Sequence, residues 1–275
     1  MTTRPLDGVR VVTIALNLPG PAAARRLLGL GASVIKVEPP SGDPMAAYHP
    51  AWYATMSMGQ EVCRIDLKTG AGREALDPLL AGAEVLLTSS RISALQRLGL
   101  DWDSVRSRHP RLSQVAITGY PRSDRTGHDL TYIAAEGLVV PPAMPRTLIA
   151  DLAGAERAVS AVLALLLSRE RGGGPGYMEV SLAEVAHDLA EPLRVGVTAP
   201  GALLGGGFPG YALYRVSDGW IAVAALEPHF LRALEQEAGV TAEEMAATFA
   251  KHPASHWEKR GVELDIPMVA VRSQE

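Results

Sequence analysis

The first forty residues constrain the fold more than any other stretch. Residues 9–16 (VRVVTIAL) are a β-branched apolar run of strand type. The turn Asn17-Leu18-Pro19-Gly20-Pro21 follows, and Pro21 suits the first position of a helix that residues 22–30 continue to a C-cap at Gly31. Residues 33–38 (SVIKVE) form a second strand, stopped by Pro39 and Pro40. Strand, helix and strand at this spacing make a βαβ unit, which implies parallel strands joined by a right-handed crossover.

The alternation continues along the chain. Strands are expected at 62–67, 84–88, 113–118 and 177–181, and helices at 72–81 (kinked at Pro78), 92–98, 102–108 and 152–169. Repeated βα units define a doubly wound sheet, whose ligands gather at the carboxyl ends of the strands. Residues 89–91 and 119–129 fall at such ends. The style then changes to Gly, Pro and small residues, followed by a hairpin (211–216 and 220–226 around Ser217-Asp218-Gly219) and helices at 228–238 and 241–251. The expected fold is therefore α/β: a Rossmann-like doubly wound parallel sheet over residues 1–190, a linker at 191–204, and a smaller α+β domain at 205–260. Residues 261–275, strand-like from 266 to 271, are expected to return towards the large domain.

A βαβ opening with Glu38 at the end of its second strand suggests a nicotinamide enzyme, with the carboxylate on the ribose. The turn opposes this. The pyrophosphate fingerprint needs several glycines, and here one glycine stands between two prolines. Other classes are excluded by composition. A net charge of −4 without a block of like charge argues against nucleic acid or an anionic membrane as partner. Residues 159–167 are the longest strongly apolar run, far too short for a bilayer span, and residues 1–8 lack a signal pattern. The single cysteine, Cys63, excludes an internal disulfide, so a cytoplasmic location is expected. Cys63 lies in a probable strand and reads as packing rather than as a nucleophile.

Chemistry concentrates in Gly127-His128-Asp129-Leu130-Thr131-Tyr132. A histidine and a carboxylate follow a glycine that lets the backbone approach a ligand or take positive φ. The residues behind them read as a first helical turn, with free N–H groups. A loop pair that merely caps a helix is the competing reading. Asp151 opens the next long helix and reads locally as its N-cap. Glu227, after the hairpin and before Pro228, reads locally as an exposed acid favoured by the helix dipole.

Taken together, these segments resemble one family. Pro5-Leu6-Asp7-Gly8-Val9, Gly20-Pro21 and Gly29-Leu30-Gly31-Ala32-Ser33-Val34-Ile35-Lys36-Val37-Glu38-Pro39-Pro40 resemble the opening of the family III CoA-transferases (the CaiB/BaiF superfamily), which also contains the α-methylacyl-CoA racemases. Asp66-Leu67-Lys68-Thr69, Arg97-Leu98-Gly99-Leu100 and Pro110-Arg111-Leu112 fit at family-like spacing. Gly127-His128-Asp129 with Tyr132, Ala150-Asp151 and Glu227-Pro228-His229-Phe230 are similar to the racemase branch. The resemblance implies that His128 and Asp151 flank the α-carbon of an acyl-CoA thioester, that Glu227 orients the imidazole, and that the Asp129 N–H meets the enolate oxygen. It implies Arg91 as a phosphate ligand, with Gly59, Ser89, Gly127 and Tyr132 also around the CoA thioester. It implies no tightly bound cofactor and no metal, coenzyme A being part of the substrate. It also implies a homodimer in which each chain threads a ring made by the other, so that Glu227 comes from the partner's small domain.

The sequence departs from the family at several points. The family's Asn-x-Gly-Lys-Arg stretch is Ser57-Met58-Gly59-Gln60-Glu61 here, with two positive charges lost and a negative one present. Ile92-Ser93 replace a Pro-Gly after Arg91, Tyr120-Pro121-Arg122-Ser123-Asp124 replaces a glycine-rich loop, and Thr131 stands for an Asn. The 275-residue sequence is short for the family, with part of the expected C-terminal portion lacking. The leading expectation is an α-carbon racemase or epimerase acting on a 2-methylacyl-CoA-type thioester. The alternatives are CoA transfer between carboxylic acids with Asp129 as nucleophile, and a non-catalytic acyl-CoA-binding paralogue.

Overall fold

The computed structural model describes residues 3–272 and divides between Leu189 and Ala190 into two compact units. The first unit holds a six-stranded sheet in the order β3-β2-β1-β4-β5-β6, every pairing parallel. Its strands are β1 (Arg10–Thr13), β2 (Ser33–Glu38), β3 (Glu61–Arg64), β4 (Val85–Thr88), β5 (Ser113–Thr118) and β6 (Tyr177–Ser181). The helices are α1 (Pro19–Gly29), α2 (Pro44–Tyr48), α3 (Pro50–Ser57), α4 (Gly70–Ala81), α5 (Ile92–Leu98), α6 (Trp102–Arg108), α7 (Asp129–Ala135), α8 (Ile149–Glu170) and α9 (Leu182–Leu189). Two apolar clusters cover the two faces of the sheet. Val11, Val85, Leu87 and Val115 point into one and Val12, Leu86 and Val37 into the other. This is why the central strands read as unbroken apolar runs rather than alternating ones.

β1 stops earlier than its apolar run. After Thr13 the chain leaves the ladder: the Ala15 N–H donates to Thr13 Oγ1 (3.1 Å) and the Leu16 N–H to Ser89 Oγ (3.0 Å). Asn17 then takes a left-handed φ of 63° while its N–H donates to Asp43 Oδ1 (3.1 Å). A Cβ on Gly20 would lie 2.3 Å from the Ala15 Cβ, so the tight return into α1 requires glycine there.

Asp43 belongs to a buried charge cluster. Lys36 is wholly buried on β2 and its Nζ contacts Asp43 Oδ2 (2.7 Å) and Glu38 Oε1 (2.9 Å). The Tyr53 hydroxyl donates to the same Glu38 oxygen (2.7 Å). Glu38 is thus committed inside the fold, in keeping with the poor fit to a nicotinamide ribose.

Residues 41–61 carry no expected element, yet two short helices form there, with Pro44 and Pro50 as first-turn residues. Asp43 caps α2 by accepting from the Met45 N–H (2.9 Å), and the His49 ring accepts from the Trp52 N–H (3.2 Å) at the start of α3. The helix over 254–264 and α9 were also not anticipated.

The second unit carries the short helix α10 (Glu191–Arg194), an irregular turn at Leu203–Gly207, and an antiparallel sheet in the order β7 (Tyr211–Val216), β8 (Gly219–Ala224), β9 (Met268–Ala270). Helices α11 (Pro228–Ala238), α12 (Ala242–Phe249) and α13 (Ala254–Leu264) enclose Tyr214, Ile221, Leu234, Phe249 and Trp257. The segment expected to return towards the large domain supplies β9, whose Ala270 pairs with Ile221. The strand-like pattern at 266–271 thus forms a third strand on the free edge of the hairpin. Residues 273–275 lie outside the described residues. Among the described residues no helix is long and apolar enough to cross a membrane.

Candidate active site

At the carboxyl edge of the large sheet lies a cavity of about 280 Å³. The loop after β1 contributes Leu16 and Asn17, the loop after β4 contributes Ser89 and Arg91, and the loop after β5 contributes Gly119, Arg125, Thr126, Gly127 and His128. Tyr132 of α7, Asp151 of α8 and Leu182 of α9 close it. Six of the residues singled out from sequence therefore meet here: Ser89, Arg91, Gly127, His128, Tyr132 and Asp151.

His128 stands just before α7 with extended backbone (φ −139°, ψ 166°). Its N–H donates to Thr131 Oγ1 (3.0 Å), and its carbonyl accepts from the Thr131 N–H (2.8 Å). Thr131, a departure from the family pattern, thus ties down the turn that presents the histidine. Gly127 does not owe its place to positive φ. A Cβ there would lie 2.3 Å from Tyr132 Cε1, and one on Gly119 would lie 2.6 Å from the Tyr132 hydroxyl. Both glycines make room for that ring, which is only 3% exposed.

Asp151 is not an N-cap. α8 begins two residues earlier, at Ile149, so Asp151 sits inside the first turn. The acceptor for its N–H is Asp129, whose Oδ1 lies 2.9 Å away. Asp129 is 3% exposed and spends its carboxylate on this helix end. Burial, and then the Asp129 charge, raise the Asp151 carboxyl from 3.8 to about 7. Burial first, then Asp151, Tyr120 and Asp129, push the Tyr132 phenol up to about 12. The cavity therefore presents an imidazole, a carboxyl that titrates near neutrality and a phenol that stays protonated.

Three of the residues singled out from sequence are not among those lining this cavity. The Asp129 carboxylate is buried and accepts the Asp151 N–H. Gly59 precedes β3, so the parallel sheet puts it at the amino edge, beside Gly8, Gly31 and Gly82 and away from the cavity. Glu227 immediately precedes α11 in the second unit, exposed and with no side-chain capping bond, as its local pattern suggested. Cys63 is partly buried on β3, and burial pushes its thiol up, which suits a packing role.

Beside the first cavity lies another of about 440 Å³, lined by residues that follow β1 to β4, among them Leu16, Pro39, Leu67, Lys68, Arg73, Ser90 and Arg97. Sequence reading did not assign its cations. The signal was present in Asp66-Leu67-Lys68-Thr69 and Arg97-Leu98-Gly99-Leu100, which were quoted only as family spacing. Thr69 caps α4 by accepting from the Gly72 N–H (3.0 Å), and Arg73 donates to the Lys68 carbonyl (3.2 Å), so the loop has a defined shape.

A family model, CoA-transferase family III, matches residues 6–241. A probable fatty acyl-CoA transferase from Mycobacterium tuberculosis is 32% identical over 267 residues, covering 82% of this chain and 66% of that protein. The human α-methylacyl-CoA racemase is 28% identical over 260 residues, covering 87% of this chain and 66% of the relative. A succinate–glutarate CoA-transferase from Agrobacterium fabrum is 29% identical over 251 residues, covering 80% and 63%. The crystal structure of the M. tuberculosis protein superposes with a TM-score of 0.84 at 26% identity, over 98% of this chain and 86% of that one. The chain belongs to CoA-transferase family III. It spans about two thirds of the length of these curated relatives.

Proposed function

We propose that the protein is an acyl-CoA enzyme that inverts the α-carbon of a 2-methylacyl-CoA-type thioester by two-base proton transfer. One observation carries this reading: His128 and a carboxyl titrating at about 7, that of Asp151, line the same small cavity. Inversion needs a proton removed from one face of the carbon and returned on the other, by groups whose pKa lies near the working pH. His128 serves one face and Asp151 the other. Asp129, fixed behind Asp151, keeps that carboxyl proton-bearing near neutrality. The enolate oxygen needs a preorganised donor, and one such donor is typically worth about 2.7–4 kcal/mol. Glu227 orients the imidazole in the assembled homodimer. The 280 Å³ cavity suits the reacting end of the thioester, and the neighbouring one suits the nucleotide of CoA, with Lys68, Arg73 and Arg97 as its cations.

CoA transfer is the second reading, and several relatives carry transferase names. The cavity carboxylate available as its nucleophile is Asp151, in place of Asp129. A carboxyl titrating near neutrality is still about half ionised there, so its pKa is compatible with nucleophilic attack as well as with proton transfer. Deuterium wash-in decides. Incubation with a 2-methylacyl-CoA in D₂O labels the α-carbon of both epimers, and His128→Ala and Asp151→Asn each abolish inversion while leaving exchange only from the face of the remaining base. Acyl-to-acid CoA movement without α-exchange establishes transfer instead, and binding with neither reaction establishes a non-catalytic paralogue.

A further inference from the structure

Two arginines line the reaction cavity, and proton transfer uses neither. Arg91 follows β4 and Arg125 lies in the loop between β5 and α7. Arg91 has an acidic neighbour: the Asp124 carboxyl is held below its usual range first by the Ser93 hydrogen bond and in part by the Arg91 charge. Arg125 forms no ion pair among the described residues. Its guanidinium lies instead over the Tyr120 ring, 4.1 Å from the centroid, and that ring rests edge-on against Tyr132 at 5.4 Å. Stacking of this kind fixes the plane of the guanidinium and leaves its N–H edge free for a ligand. The nearby carboxylate of Glu179 is already taken by the Thr118 hydroxyl (2.8 Å) and the Arg122 N–H (3.0 Å).

We infer that Arg125, supported by Arg91, makes this cavity a receptor for an anionic substituent, so that the preferred acyl groups carry a carboxylate. The inference rests on the acyl-CoA reading and deepens it by naming the substrate class. A planar guanidinium meets a carboxylate through two parallel N–H···O bonds, a geometry no neutral acyl chain can use. The phosphates of CoA are a poor match for Arg125. A cavity of about 280 Å³ holds little beyond a thioester and a short acyl chain, and the adjoining cavity has three cations of its own. Arg91, Arg125 and Asp151 line the same cavity, so an acyl chain with its α-carbon at Asp151 has a guanidinium available to its tail.

The test compares 2-methylsuccinyl-CoA with 2-methylpentanoyl-CoA in the full chain, reading kcat/KM for α-deuterium exchange. The wild type is expected to favour the carboxylate-bearing substrate. Arg125→Gln is expected to lower the ratio of the two kcat/KM values by about 10- to 100-fold, the range for losing a hydrogen bond to a charged group. Arg125→Lys retains most of the ratio. A wild-type preference for the neutral chain overturns the inference, and so does a Gln variant that slows both substrates equally, which would mark Arg125 as a phosphate contact. If neither substrate exchanges, calorimetric Kd values for the same pair decide. Tighter binding of the carboxylate-bearing thioester, lost in Arg125→Gln, upholds the inference while the racemase reading fails; equal or absent binding overturns both.

Discussion

Replacing Asp129 by Asn isolates the electrostatic device on which the site depends. The amide oxygen of Asn can still accept the Asp151 N–H, so the end of α8 stays capped while the negative charge disappears. The Asp151 carboxyl stands at about 7 against an ordinary 3.8, a rise of roughly three units, with burial the larger cause and Asp129 the lesser. The Asp129 share is therefore under half, at most about 1.5 units or about 2 kcal/mol. In Asp129→Asn the Asp151 carboxyl should titrate at about 5.5–6.5, not at 3.8, because the desolvation remains. Carbon-13 NMR of carboxyl-labelled protein reads this directly, with Asp151→Asn identifying the resonance. In exchange kinetics, the limb that needs ionised Asp151 moves to lower pH by the same amount. An Asp151 midpoint that stays put or rises in Asp129→Asn would refute the coupling.

Two further outcomes follow from the same geometry. Asp151 titrates higher in the folded state than in the unfolded chain, so the native protein binds the extra proton between about pH 4 and 7, and stability is lost as pH rises through that window. Asp151→Asn should therefore unfold at higher denaturant than wild type at pH 8, by up to about 3–4 kcal/mol, and the two should converge below pH 4. Gly127→Ala places a methyl where the Tyr132 ring lies, so it should cost about 1–3 kcal/mol in urea unfolding and also slow α-exchange, since Tyr132 must move.

Much of the fold could be read from residue patterns. The strands at 33–38, 113–118 and 177–181 and the helices at 92–98, 102–108 and 228–238 have the extents that their periodicity indicates. Where patterns misled, a side chain had intervened. Asp43 and His49 cap two short helices that begin at Pro44 and Pro50, and the Thr13 and Ser89 hydroxyls drew residues 15 and 16 out of the first strand. Most of the cavity was legible because its members sit where a doubly wound sheet collects ligands. The role of Asp129 was not, because the N–H it accepts is 22 residues further along the chain and only packing brings them together. The reason for Gly127 was equally hidden, since it lies in the ring of Tyr132 and not in backbone conformation. The position of Gly59 at the amino edge was hidden because motif spacing does not say which edge of a parallel sheet a residue occupies.

The walls of the reaction cavity are held in unequal ways. On one side Asn17 is moored through Asp43 to Lys36, an ammonium sealed inside the molecule, and shifting that wall would strand a charge without water. Elsewhere in the wall Arg125 leans on Tyr120 from an exposed loop, without a tie to a buried charge. Changes in acyl preference are therefore most accessible through residues 121–126, where replacement leaves the buried ammonium untouched. The Asn17 side acts as a fixed jaw against which new substrates must be fitted.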